Sequence, residues 1–68
     1  NKMDYVNDRA NELAQAMVAY YELKVHCDNA GSDVLRQDTS ALRQAYDVMV
    51  TAQNDLAFAC ETFAKDNA

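Results

Sequence analysis

The sequence contains no proline and no tryptophan, and glycine occurs once, at Gly31. Proline and glycine mark the turns between short elements, so their scarcity excludes a fold built from many short strands and tight turns. Half of the residues are apolar, which disfavours a disordered chain. The composition therefore favours long helices that are interrupted at very few points.

Long apolar runs and positive charge are also scarce. No segment approaches the roughly 20 apolar residues that a membrane span requires. Eleven acidic residues stand against six Lys and Arg, which gives a net charge of −5. Because nucleic acids and anionic lipids are bound through clustered Lys and Arg, we expect neither direct nucleic-acid binding nor membrane binding. The acidic surface is compatible with a partner protein that has a basic surface.

Side chains that could perform catalysis or hold a cofactor are few. The single histidine, His26, precedes Cys27, but neighbouring residues on a helix point about 100° apart and do not form a nucleophile–base pair. One histidine and two scattered cysteines do not make a zinc site. A glycine-rich phosphate loop, an EF-hand and a Glu-x-x-His pair are missing as well. We therefore expect a protein that is not an enzyme and that has no metal or cofactor site.

The second half of the chain has a heptad pattern of large and small side chains. Its large members are Leu35, Leu42, Met49, Leu56 and Phe63, and three residues after the first four come Asp38, Ala45, Ala52 and Ala59. This pattern predicts a helix on which a bulky residue alternates with a small one, so that another helix can approach closely.

The first half of the chain also has helical periodicity. Its predicted seam comprises Met3, Val6, Ala10, Leu13, Met17, Tyr20 and Cys27, with Lys24 on the same side. Gly31 can adopt the left-handed conformation that ends a helix. We predict an all-α fold, one antiparallel helical hairpin over residues 1–68, with a helix over about 4–29, a turn over about 30–33 and a helix over about 34–65. A separate short helix over 33–38 is the alternative near the turn.

The predicted helices have more apolar surface than one seam can cover. Val18, Tyr21 and Val25 widen the apolar arc of the first helix, and Phe58 lies among polar residues of the second. One explanation is a second copy, which would complete a four-helix bundle as a homodimer. The other is a docking surface for a different protein. These four residues are the predicted partner-binding residues.

The two cysteines bear on the compartment. In a simple hairpin Cys27 and Cys60 would be about 30 Å apart, far beyond the ~7 Å Cα separation that a disulfide tolerates. We therefore expect reduced thiols in the apolar seams and favour a cytoplasmic protein. An intrachain disulfide would need an additional helix, and bridges between two chains are a further possibility.

The predicted function is that of a small non-enzymatic module for protein–protein interaction or regulation, acting through its helix faces. Two alternatives come from other classes. One is an acidic inhibitor or nucleic-acid mimic that blocks a basic site, with Asp4, Asp8, Glu12 and Glu22 imitating a row of phosphates. The other is a secreted or periplasmic helical module that is stabilised by a disulfide.

Overall fold

The computed structural model describes the backbone of residues 2–68 and the side chains of residues 3–68. Over these residues the chain forms two long helices, α1 (Lys2–Ala30) and α2 (Arg36–Asp66), which a short 3₁₀ turn at Gly31–Asp33 joins. The helices pack against each other along a rod of 52 × 13 × 13 Å. The predicted all-helical hairpin is confirmed.

The turn explains where α2 begins. Gly31 has a φ of 58°, in the left-handed region that glycine enters without steric cost. The Val34 N–H donates to the Gly31 carbonyl, and the backbones of Val34 and Leu35 are extended. Helix α2 therefore starts two residues later than predicted, without a separate helix over 33–38. Leu35, predicted to be the first seam residue, precedes the helix and is exposed.

Replacing Gly31 by alanine should destabilise the hairpin through its backbone alone. A Cβ at this position would meet no atom within 4 Å, so steric contact contributes nothing. The left-handed conformation costs a residue with a Cβ about 1–2 kcal/mol. We expect a lower midpoint of thermal unfolding, followed by circular dichroism. Gly31→Asn is the matched variant and should lose less stability than Gly31→Ala, because asparagine tolerates the left-handed conformation better than alanine does. Equal losses of stability in the two variants would contradict the backbone explanation.

The heptad of α2 lies against α1 as predicted. Met49 and Ala59 are buried, and the other heptad members from Asp38 onward are partly buried. These partly buried residues are Asp38, Leu42, Ala45, Ala52, Leu56 and Phe63. Because small side chains alternate with large ones, α1 can pack closely along the whole length of α2.

The seam of α1 differs in part from the prediction. Its buried or partly buried apolar members are Val6, Leu13, Ala16, Tyr20, Leu23 and Cys27, whereas Met3, Ala10 and Met17 are exposed. Leu23 and Lys24 are both partly buried. Burial of an unpaired ammonium group would be costly, and Lys24 instead forms an ion pair with Asp28 at 3.0 Å. The placement of Met3, Ala10 and Met17 in the seam is therefore wrong, whereas Lys24 is partly buried.

The core of the hairpin is thin. Among the described side chains the buried apolar ones are Val6, Ala16, Cys27, Met49 and Ala59, and none of the large ones is fully buried. Two of these five residues are alanines, which contribute little apolar area. A chain of this size is marginally stable even with a good core. Further apolar burial would therefore stabilise this fold.

Candidate interaction surface

Helix α1 has a continuous apolar surface that α2 does not cover. We call it the α1 strip and define it by Ala14, Met17, Val18, Tyr21 and Val25, which line one shallow depression bordered by Glu22. Spacings of three, four and seven residues bring these side chains to one face of the helix. Val18 and Val25 are each 57% exposed and Tyr21 is 51% exposed. Three of the four predicted partner-binding residues therefore lie side by side.

Met17 belongs to this surface, although the sequence analysis placed it in the seam. Its side chain lies beside Val18 in the α1 strip and is exposed. The missed signal is the heptad of Val6, Leu13, Tyr20 and Cys27, whose intermediate positions are 9, 16 and 23. That register leaves Met17 outside the seam, where it widens the apolar surface.

Three tyrosines connect the α1 strip with α2. The Tyr20 ring, partly buried in the seam, lies edge-on to the Tyr21 ring with centroids 5.0 Å apart. It also contacts the Tyr46 ring of α2, with centroids 5.7 Å apart. Such aromatic contacts hold rings in a fixed orientation. Tyr46 is itself exposed, so the apolar surface continues onto α2 on this side of the hairpin.

Phe58 does not join the α1 strip. It is 67% exposed on α2. The pairing of the helices places Cys27 beside Asp38 and Tyr20 beside Tyr46, so Phe58 is level with about residue 7 of α1. That level is about 15 Å along the helix axis from Val18. The four predicted residues therefore form one cluster of three and a separate aromatic side chain.

Both cysteines are free thiols. Cys27 is buried, and its Sγ donates to the Asp38 carbonyl at 3.7 Å. Cys60 is exposed, so its predicted place in the seam is wrong. The heptad position belongs to Ala59, and the next residue on a helix points about 100° away. The structure contains no bridge between the two, which lie near opposite ends of the hairpin.

The two thiols should react at different rates. We expect a maleimide to label Cys60 in the folded protein, while Cys27 reacts only when the hairpin opens, because its sulfur is shielded by α2. Mass spectrometry of briefly labelled Cys27→Ser and Cys60→Ser variants measures each thiol separately. Denatured samples of both variants should label fully. Fast labelling of native Cys27 would contradict the packing at the turn.

His26 and Cys27 contact different groups of one residue, Asp38: its carboxylate and its backbone carbonyl. The His26 Nε2 lies 3.1 Å from a carboxylate oxygen of Asp38, and the pair links the two helices beside the turn. His26 lies on the polar surface, as predicted, but its carboxylate partner was not predicted. Both groups are accessible to water, so this pair contributes little to stability. Within the described residues no three His, Cys, Asp or Glu side chains are arranged to hold a metal ion.

Several surface charges are paired within a single helix. Arg9 contacts Glu12 at 2.7 Å and Lys65 contacts Glu61 at 2.9 Å. A hydrogen bond to the Asp28 carboxylate, together with the negative charge of that carboxylate, raises the pKa of Lys24. The predicted phosphate-like row of Asp4, Asp8, Glu12 and Glu22 is exposed. The Arg9 guanidinium interrupts it, which weakens the resemblance to a row of phosphates.

Comparison of the chain with protein-family models, with curated proteins and with solved structures finds no match. Across the described residues, neither helix combines the length and apolar character needed to cross a bilayer.

Proposed function

We propose that this chain is a small non-enzymatic interaction module that associates through the α1 strip. The proposed assembly is a homodimer in which the α1 strip of one hairpin packs against the α1 strip of a second copy. The two hairpins together form a four-helix bundle. The observation that carries the proposal is that Met17, Val18, Tyr21 and Val25 are apolar and lie together, yet are left uncovered by α2. Association would supply the apolar burial that the thin core lacks.

The solvent-accessible area of the hairpin is larger than that of a compact protein of the same mass. The hairpin exposes 5064 Å². A compact monomer of 7.6 kDa is expected to expose about 4,300 Å². The excess of about 800 Å² matches the share of one partner in a standard protein–protein interface. The elongated hairpin thus exposes enough additional surface for one side of a standard interface.

The α1 strip is also complementary to itself. If two copies of α1 pack antiparallel about a two-fold axis between residues 17 and 18, Ala14 of one copy faces Tyr21 of the other. Met17 then faces Val18 of the second copy. The pair of Ala14 and Tyr21 would again place a small side chain against a large one, as in the seam within the hairpin. No charged residue lies inside this contact, because Glu22 borders it.

The mass of the protein in solution tests the proposal. Light scattering coupled to size-exclusion chromatography should give about twice the chain mass of 7.6 kDa. Addition of a reductant should not change this value, because the contact contains no cysteine. A monomer at all accessible concentrations would contradict the proposal, and a dimer only without reductant would assign the association to Cys60.

A further inference from the structure

A second surface lies between the helices on the other side of the hairpin. We call it the acidic groove: Ala16, Val48 and Ala52 form its apolar floor, and Glu12, Asp47 and Asp55 form its rim. Its volume is about 350 Å³. Val48 is 60% exposed and lies between the two aspartates of the rim.

The acidic groove is separate from the α1 strip. Val48 follows Tyr46 by two residues, which turns its side chain by about 200° around α2. Tyr46 lies on the side of the α1 strip through its contact with Tyr20, so Val48 lies on the opposite side. A dimer formed through the α1 strip would leave the groove open.

The charges of the groove are not balanced. Glu12 is paired with Arg9, but within the described part of the chain Asp47 and Asp55 have no ion-pair partner. These two aspartates are eight residues apart on α2, which corresponds to about 12 Å along the helix. No Lys or Arg lines the groove. Two carboxylates without an ion pair thus lie two helical turns apart on α2, and the exposed Val48 follows the first of them directly.

We propose that the acidic groove binds a basic amphipathic helix of another protein. Two Lys or Arg side chains of that helix, about two turns apart, would contact Asp47 and Asp55. An apolar side chain between them would pack against Val48, which follows Asp47 directly, and against Ala52 one turn further along α2. The basic character of the occupant follows from charge complementarity. A second copy is a poorer occupant, because the groove calls for two Lys or Arg side chains and the chain has only six such residues against eleven acidic ones.

A synthetic helical peptide tests this surface. The probe carries two lysines eight positions apart with a leucine midway on the same face, and its affinity for the full chain is measured by calorimetry at low salt. Removing both charges with Asp47→Asn and Asp55→Asn should weaken binding about fivefold or more. The matched control, Asp33→Asn with Glu61→Gln, changes the net charge equally outside the groove and should change affinity less than about twofold.

The apolar contact needs its own variants. Val48→Ser, and separately a peptide with glutamine in place of leucine, should each weaken binding by about threefold or more. Circular dichroism confirms that each protein variant folds. Three results would overturn the proposal: no measurable binding of the peptide, equal losses in the two double variants, or no effect of Val48→Ser, which would indicate attraction by charge alone. Val18→Asp should retain binding, so failure of the dimer and failure of the groove are distinguishable.

Discussion

We expect Val18→Asp to convert the dimer into a monomer that keeps its helical hairpin. In the proposed bundle the two copies of residue 18 lie beside the two-fold axis, so one substitution places two carboxylates in an apolar contact. An unpaired buried charge costs several kcal/mol, and like charges add to that cost. The dissociation constant should rise by about a hundredfold or more. Light scattering over a concentration series measures it, and Tyr21→Glu should act in the same way.

Val48→Asp is the matched control for this prediction. Val48 is 60% exposed in the hairpin and Val18 is 57% exposed, so the same substitution is made at equally accessible valines on opposite sides. Only Val18→Asp should abolish the dimer. If both variants became monomeric, a general effect of added charge would explain the result; if neither did, the α1 strip would not be the interface.

The second large effect is expected from Met49→Ala. Met49 is 7% exposed and is the largest buried side chain of α2. Truncating a buried methionine costs about 2–5 kcal/mol, through lost apolar contacts and the cavity left behind. The free energy of unfolding of small domains is only a few kcal/mol, so much of the variant protein should be unfolded at room temperature. The midpoint of thermal unfolding should fall by at least about 10 °C.

The neighbouring Val48→Ala substitution controls for this truncation. Its side chain is exposed on the hairpin, and alanine has a higher helix propensity, so stability should change by less than about 0.5 kcal/mol. Melting curves must be recorded at one protein concentration, because dimerisation contributes to the measured stability. Equal losses in Met49→Ala and Val48→Ala would contradict the observed packing of α2.

The two helices differ in how far their packing could be predicted. In α2 the heptad is strict, since large residues recur every seven positions and alanines occupy the heptad positions between them. Only one rotation of α2 turns both the large residues and the alanines towards α1. In α1 apolar residues occupy more than one face, so periodicity alone could not choose between Ala16 and Met17. The choice depends on the contact with α2, which buries Ala16 and leaves Met17 exposed.

The candidate surface was predictable only in part for the same reason. Val18, Tyr21 and Val25 share one helix, so their spacing alone places them together. Tyr46 joins them through a contact between helices, and the position of Phe58 depends on how the two helices are paired. Leu35 was misplaced because the extended backbone after the turn, rather than the heptad, sets the start of α2.

Contacts between the two copies provide the most direct test of the proposed dimer. In a mixture of isotope-labelled and unlabelled chains, filtered nuclear Overhauser spectra detect only protons of different copies that lie close together. We predict cross-peaks between the Tyr21 ring of one copy and the Ala14 methyl group of the other. Within one helix these residues are about 10 Å apart, too far for such a signal. Intermolecular cross-peaks confined to Val48 or Phe58, or no intermolecular cross-peaks, would contradict the account.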